Sequence, residues 1–239
     1  MSGRDRYDRR VSYVDLSNRF VSDHFPGAAI AVIGGSTARG TRTATSDIDL
    51  LLVGEALFAD ERSSLAGSYA FDGEIFEVFA YTPEAFDEWN RRDIEQHRPV
   101  LLHMLLEGAE VRGGRELAEL RAHWRDVLGN GPSASAQELA ARRYVITDLL
   151  DDLRDASDPL ERHAIAFTLF ERAAELLLLS NQRWLGTGKY LPRRLREWDA
   201  ARADALATPL LRGDLAAFAD RVDRELHSAG GRVQAGFIR

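Results

Sequence analysis

The residues able to do chemistry are concentrated in one short stretch of the sequence, between Gly34 and Asp49. Two glycines end an apolar run, Ser36 follows them directly, and Asp47 and Asp49 come after a short spacer. Adjacent glycines allow a sharp turn and a close approach of the backbone to a ligand. A serine at a helix start, with the neighbouring N–H groups, can hold phosphate oxygens. The stretch therefore predicts a phosphate-binding turn followed by a pair of carboxylates.

Asp47 and Asp49 are predicted to project from one face of a strand, because side chains alternate along a strand. Ile48, between them, then points toward the core. Two adjacent carboxylates repel each other unless a cation lies between them. Mg²⁺ accepts carboxylate oxygens and substrate phosphates together. A phosphate cradle beside paired carboxylates is the apparatus of metal-assisted phosphoryl or nucleotidyl transfer.

A third carboxylate on a neighbouring strand would complete a two-metal site. Glu77 is the main candidate: it lies in mid-strand with Ile75 and Phe79 on its own face, where a glutamate is costly to bury without a partner. Glu74 is the alternative, because it follows Gly73 and lies on the opposite face. The residue pattern alone leaves both candidates open.

The elements that must position these residues form a mixed α/β half. The pattern predicts a helix at about residues 6–25, buried strands at 28–33 and 48–53, and an alternating extended segment at 69–81. A helix capped by Thr82 should begin at 83, followed by a helix at about 99–107 and an edge strand near 111. Beyond the linker candidate at 130–133 the signals are purely helical, with predicted caps at Ser135 and Asp158 and shorter helices at about 193–205 and 215–227. We therefore expect an α+β protein that divides into residues 1–130 and a helical bundle of residues 131–239.

Composition excludes several functional classes. The chain of 239 residues has 38 acidic and 31 basic residues, a net charge of −7, and no cysteine. Disulfides, thiolate zinc sites and cysteine nucleophiles are therefore excluded, and a non-specific duplex nucleic-acid binder usually carries the opposite charge. No apolar run approaches the 20 or so residues of a membrane span. We expect a cytoplasmic protein with neither a membrane nor a nucleic acid as its partner.

The first half resembles the DNA polymerase β-like nucleotidyltransferase superfamily in the string Gly35-Ser36-x-Ala38-Arg39-Gly40-x₅-Ser46-Asp47-Ile48-Asp49. The match covers about residues 28–82 and is most similar to the minimal and antibiotic nucleotidyltransferases. The helical half resembles, in kind and order, the C-terminal domain of the kanamycin and streptomycin/spectinomycin adenylyltransferases. The resemblance implies a nucleotidyltransferase fold, a short mixed sheet flanked by helices, in residues 1–130.

The resemblance also implies a role for each matched residue. Gly35 and Ser36 would hold the β,γ-phosphates of a nucleoside triphosphate, and Asp47 and Asp49 would bind two Mg²⁺ ions. Glu77 would bind the second ion or take the proton from the acceptor hydroxyl.

The resemblance also suggests roles for two basic residues, each with an alternative. Arg39 would contact the nucleotide or pair with a carboxylate. Lys189, the only lysine of the chain, lies in a glycine-flanked loop and is a candidate phosphate contact, since the related adenylyltransferases often send a basic residue from the helical domain to the triphosphate. The alternative for Lys189 is a solvated loop lysine.

The expected activity is transfer of a nucleoside monophosphate from ATP or another nucleoside triphosphate to a hydroxyl of a small molecule, with an aminoglycoside-like antibiotic as the specific candidate. Two alternatives remain open. One is a protein acceptor, as in antitoxin-like enzymes that adenylylate a partner toxin. The other is a nucleotide-binding module without catalysis.

Overall fold

The computed structural model describes the backbone of residues 3–234 and the side chains of residues 13–234. The chain divides into two units, residues 1–129 and 130–239. The first unit contains both helices and strands, and the second contains helices among its described residues. Each unit has its own hydrophobic core.

A five-stranded mixed sheet organises the first unit, with strand order β3-β4-β2-β1-β5. Strands β2 and β4 are parallel, whereas the other neighbouring pairs are antiparallel. The predicted α+β class is confirmed, and the strand predicted near Val111 does lie at the sheet edge. In chain order the elements are α1 (Gly3–His24), β1 (Ile30–Ile33), α2 (Gly35–Arg39), β2 (Ile48–Val53), β3 (Ser64–Phe71), β4 (Glu74–Tyr81), α3 (Pro83–Glu95), α4 (Val100–Glu107), β5 (Ala109–Arg112) and α5 (Gly114–Asn130).

Both faces of the sheet are covered, each by a different set of helices. Helix α1 packs on one face, where the Phe20 ring stacks on Phe76 with centroids 4.3 Å apart. Helices α3, α4 and α5 cover the other face through a cluster that includes Phe86, Leu102 and Leu117. The residues of β2 alternate between the two cores. Asp49, Leu51 and Val53 therefore share the face of α3, α4 and α5.

The alternating segment predicted at 69–81 contains a hairpin. Strands β3 and β4 pair along eight residues and are joined by Asp72 and Gly73, whose φ angles are 50° and 83°. Positive φ at both central residues is the geometry of the tight hairpin turns that Asp-Gly favours. The sequence pattern missed residues 64–68 of β3, since a half-exposed edge strand carries a weak apolar signal.

The second unit contains five described helices: α6 (Ala136–Asp155), α7 (Pro159–Ser180), α8 (Tyr190–Trp198), α9 (Ala200–Leu211) and α10 (Leu215–Ser228). The caps predicted at Ser135 and Asp158 are confirmed, because each side chain accepts a hydrogen bond from the backbone N–H three residues later. Leucine and alanine side chains of all five helices form one buried core.

One helix prediction is wrong, and the sequence pattern misses another helix. The single helix expected at about 193–205 is wrong, because Asp199 has an extended backbone and separates α8 from α9. The Asp199 side chain accepts the Arg202 N–H at 2.9 Å and so starts a new helix. The sequence pattern does not predict helix α5.

Across the described residues, no helix has both the length and the apolar character that crossing a bilayer requires.

Candidate active site

The turn after β1 fits closely against the carboxylate of Asp49. The Gly34 N–H donates to the Asp49 carbonyl oxygen at 2.8 Å, which joins the end of β1 to β2. Gly35 follows with φ 58°, and a Cβ atom there would lie 1.6 Å from Asp49 Oδ2. A side chain at position 35 would therefore have to displace the Asp49 carboxylate. The glycine both permits the left-handed backbone and makes room for an acidic group beside α2.

Three carboxylates converge beside this turn. Asp49 and Glu77 are register partners on the parallel strands β2 and β4, so their side chains share one face. Asp47 lies immediately before β2, not inside the strand, and its carboxylate joins the other two. Carboxylate oxygens of Asp47, Asp49 and Glu77 all lie within 4.8 Å of one another, and all three residues are half-buried. This donor set fits a hard divalent cation such as Mg²⁺, which prefers carboxylate oxygens.

Glu74, the alternative third carboxylate, is occupied elsewhere. It forms an ion pair with Arg42 and lies on the same face of β4 as Phe76, the face toward α1. The burial argument for Glu77 needs correction, because Ile75 on its own face is 48% exposed. The register with Asp49, not burial among apolar neighbours, brings Glu77 to the carboxylate cluster.

The predicted nucleotide contacts flank the cluster in different ways. Ser36 is the second residue of α2 and is half-buried, whereas Arg39 is exposed in the last turn of that helix. Lys189 belongs to the second unit, where it is exposed immediately before α8 with Nζ 5.6 Å from the Tyr190 ring centroid. The phosphate contacts of Ser36, Arg39 and Lys189 stay predictions.

Sequence reasoning missed the supports of the loop between α2 and β2. Thr37 Oγ1 donates to the Asp47 carbonyl oxygen at 3.3 Å, and Arg42 donates to the Ser46 carbonyl oxygen at 2.6 Å. The partner of Arg42, Glu74, is 32 positions away in the sequence. No local pattern could reveal such a pair, because only the sheet pairing brings the two residues together.

The comparisons with known proteins decide the family. The family profile described as "Nucleotidyltransferase domain" matches residues 15–101, the span that holds the glycine turn and the three carboxylates. Residues 15–101 are a nucleotidyltransferase domain. The predicted resemblance to the DNA polymerase β-like superfamily is thereby confirmed for these residues, and the matched family is one of nucleotidyltransferases. A nucleotidyltransferase uses a nucleoside triphosphate as its substrate.

A solved structure also resembles the chain. It is a nucleotidyltransferase-like protein from Exiguobacterium sibiricum 255-15, with 12% sequence identity and a TM-score of 0.49. The alignment covers 90% of this chain and 75% of the other. None of the curated proteins matches the chain.

Proposed function

We propose that the protein is a Mg²⁺-dependent nucleotidyltransferase that moves a nucleoside monophosphate, in the first instance AMP from ATP, onto a hydroxyl group of a small molecule. The observation that carries the proposal is the convergence of Asp47, Asp49 and Glu77 within a nucleotidyltransferase domain. Three carboxylates this close repel one another unless cations or hydrogen-bond donors compensate their charge. A bound divalent cation supplies that compensation.

The three carboxylates have separate tasks in the proposed reaction. Asp47 and Asp49 would hold the divalent cations, expected to be two, which would supply positive charge to the triphosphate and the pyrophosphate. The acceptor hydroxyl oxygen forms a bond to the α-phosphorus, and the bond from that phosphorus to the bridging oxygen breaks. Pyrophosphate leaves with the electron pair. Glu77 would hold the second cation, in which case the hydroxyl proton passes to solvent water, or would itself accept that proton.

The remaining predicted residues bind the donor. Gly35 and Ser36, at the turn into α2, hold the β- and γ-phosphates, and Arg39 contacts the nucleotide.

Residues 1–130 would form the nucleotidyltransferase domain and residues 131–239 a helical domain. Lys189 of the helical domain would add a positive charge to the triphosphate. Its exposure before α8 is compatible with that role.

The acceptor is proposed to be a small cationic molecule with free hydroxyls, as in an aminoglycoside-like antibiotic. The net charge of −7 favours the approach of such a molecule over that of an anionic one. A protein acceptor and binding without catalysis are the outcomes that the experiment must separate from this one.

The test is pyrophosphate release by the full chain with Mg²⁺ and each of the four common ribonucleoside triphosphates. Acceptors are supplied as a panel of aminoglycosides, neutral polyols and cell proteins, and mass spectrometry identifies the product. We expect pyrophosphate release that depends on an aminoglycoside-like acceptor, together with an acceptor whose mass has risen by one AMP. Labelled protein without labelled small molecule would assign a protein acceptor. Triphosphate binding without any pyrophosphate would contradict catalysis.

A matched pair of variants ties this activity to the carboxylate cluster. Asp49→Asn removes one ligand charge, and we expect pyrophosphate release to fall to about one hundredth or less. Asp72→Asn is the control, because Asp72 is an exposed aspartate of the same unit, paired with Arg19 at 2.7 Å. Asparagine also tolerates the positive φ of that turn. Equal activity in the two variants would contradict the proposed site.

A further inference from the structure

Arg42 lies in the loop that joins α2 to β2 and contacts three different parts of the first unit. Its Nη2 donates to the Ser46 carbonyl oxygen at 2.6 Å and forms an ion pair with Glu74 at the start of β4. Its guanidinium carbon lies 4.7 Å from the centroid of the Tyr13 ring, which belongs to α1. The side chain is only 15% exposed. Arg42 therefore joins the loop, the sheet and α1.

These contacts act on the backbone directly beside a proposed metal ligand. Ser46 is the residue before Asp47, and the loop from Gly40 to Asp47 contains neither helix nor strand. Two side chains from outside the end of the loop bind its carbonyl oxygens: Thr37 Oγ1 donates to that of Asp47, and Arg42 donates to that of Ser46. Loss of Arg42 would leave one of these two attachments. Arg42 is thus one of two side chains that bind the backbone beside the Asp47 carboxylate.

Arg42 makes these contacts on the side of the sheet opposite to the carboxylates of Asp47, Asp49 and Glu77. Its partner Glu74 shares a face of β4 with Phe76, in the core beneath α1. Asp49 and Glu77 lie on the other face. Arg42 can therefore fix the loop without placing a cation among the metal ligands. It also keeps the Glu74 carboxylate, three residues from Glu77, paired on the α1 face.

The local energetics favour a role in positioning over one in stability. A partly buried ion pair pays desolvation costs that largely offset its attraction. Moreover, the Nη1 atom of Arg42 is buried and makes no hydrogen bond within the described residues. A guanidinium that is incompletely satisfied adds little net stability. What the pair supplies is a defined geometry for the loop.

We infer that Arg42 is a positioning residue of the active site: through Ser46 and Glu74 it places Asp47 against Asp49 and Glu77 and so sets the affinity for the divalent cation. The inference rests on the proposed function, since it concerns the same cluster. Supports of metal ligands typically change metal affinity by about ten- to a hundredfold when they are removed.

The experiment titrates Mn²⁺ alone into the full-length protein by calorimetry, without nucleotide. Arg42→Met, Arg42→Lys and the double variant Arg42→Met/Glu74→Leu are compared with the unaltered chain. Arg19→Met is the matched control, since Arg19 also pairs with a carboxylate of the hairpin and stacks on a ring, 5.9 Å from the Phe71 centroid. Unlike the contacts of Arg42, these contacts of Arg19 lie at the hairpin and not at the loop between α2 and β2. Melting temperatures are recorded for every variant.

We expect Arg42→Met to weaken Mn²⁺ binding about tenfold, and Arg19→Met to leave it unchanged. Arg42→Lys should fall between them, because an ammonium keeps the charge and the donors but lacks the planar geometry in which Nη2 contacts both partners. The double variant should melt near the unaltered chain, since it leaves no unpaired carboxylate, and should still bind Mn²⁺ about tenfold more weakly. In pyrophosphate release, Arg42→Met should raise the Mg²⁺ concentration for half-maximal rate, while the KM for ATP at saturating Mg²⁺ stays the same.

Two results would overturn the inference alone. One is Mn²⁺ affinity in Arg42→Met within twofold of the unaltered chain. The other is full recovery of affinity in the double variant, which would show that an unpaired Glu74 caused the loss. Failure of the unaltered chain to bind Mn²⁺ would instead overturn the proposed function, and this inference with it.

Discussion

At the scale of single residues, the site depends on what Gly35 leaves out. The absent side chain makes room for the Asp49 carboxylate, which would otherwise lie 1.6 Å from a Cβ atom. The glycine also accommodates φ 58° without the strain of an L-residue. Both demands come from tertiary structure, and a string match identifies the glycine without explaining it.

We expect Gly35→Ala to abolish Mn²⁺ binding, because the new methyl group must displace the Asp49 carboxylate. Gly114→Ala is the control: Gly114 also begins a helix with positive φ, 50°, but a Cβ there meets nothing within 4 Å. Each variant should lose about 1–2 kcal/mol to backbone strain, measured by urea unfolding. Calorimetric titration then separates them. Equal Mn²⁺ affinity in both would show that the contact with Asp49 is unimportant.

The residue scale also shows why sequence could not choose between Glu77 and Glu74. Both are polar residues of one strand, and alternation says only that they face opposite ways. The choice depends on which face receives Asp49, and the parallel pairing of β2 with β4 decides that. Glu74 faces α1, where Arg42 pairs with it. Strand pairing is not encoded in any local spacing.

At the scale of elements, the junction of α3 and α4 carries a pH-sensitive group. The Asp93 carboxylate accepts the Val100 N–H at 3.1 Å and so caps α4, whose own N-cap residue is Pro99. Burial raises the pKa of Asp93 more than the amide groups of Val100 and Leu101 lower it. Burial also raises the pKa of Tyr81, with the negative charge of Asp93 as a further cause.

The raised pKa of Asp93 predicts the sign of a stability change. Because the folded state binds the proton more tightly than the unfolded state, this carboxyl favours folding at low pH. Its contribution is lost as the pH rises through the raised pKa. We expect Asp93→Asn to gain stability relative to the unaltered chain between about pH 4 and about pH 7. Urea unfolding at both pH values measures the difference, and a difference that moves the other way would contradict the assigned shift.

A buried ion cluster joins two helices of the second unit. Glu175 of α7 has a side chain only 5% exposed and pairs with Arg142 of α6 at 2.9 Å and with Arg172 of its own helix at 3.0 Å. Buried charges of this kind require their partners, because an uncompensated charge away from water is costly. The cluster therefore fixes how α6 and α7 sit against each other.

We expect Glu175→Gln to destabilise the chain by about 1–2 kcal/mol, because both arginines lose the charge of their shared partner although Arg142 keeps its ion pair with Glu138. Glu197→Gln is the control, since Glu197 pairs with Arg194 at 3.0 Å but is 62% exposed. The control should change stability by less than about 1 kcal/mol. Urea unfolding measures both, and a small effect at Glu175 would contradict the importance of the cluster.

At the scale of the whole molecule, binding and stability are linked by mass action. A ligand that binds only the folded state stabilises it, by about 2.7 kcal/mol at a hundred times its Kd. We therefore expect Mg²⁺ with ATP to raise the melting temperature of the unaltered chain, whereas each alone has a smaller effect. Asp49→Asn should remove the joint shift, and Asp72→Asn should keep it. No shift at millimolar nucleotide would count against the site.

The sequence by itself indicated the family of this protein and much of its element order. Gly35, Ser36, Asp47 and Asp49 predict phosphate and metal binding at a spacing typical of the family, and local caps at Thr82, Ser135 and Asp158 mark helix starts. Such signals are local, because a turn or a cap is specified by residues within a few positions of one another.

Only the tertiary structure decided the relations between distant segments. It divided the predicted 69–81 segment into a hairpin, broke a helix at Asp199, and brought Glu77 rather than Glu74 to the aspartates. It also revealed Arg42, whose partners Tyr13 and Glu74 belong to separate elements. These outcomes depend on which strands pair and which faces are covered. That choice is made by packing of the whole unit, and no spacing along the chain records it.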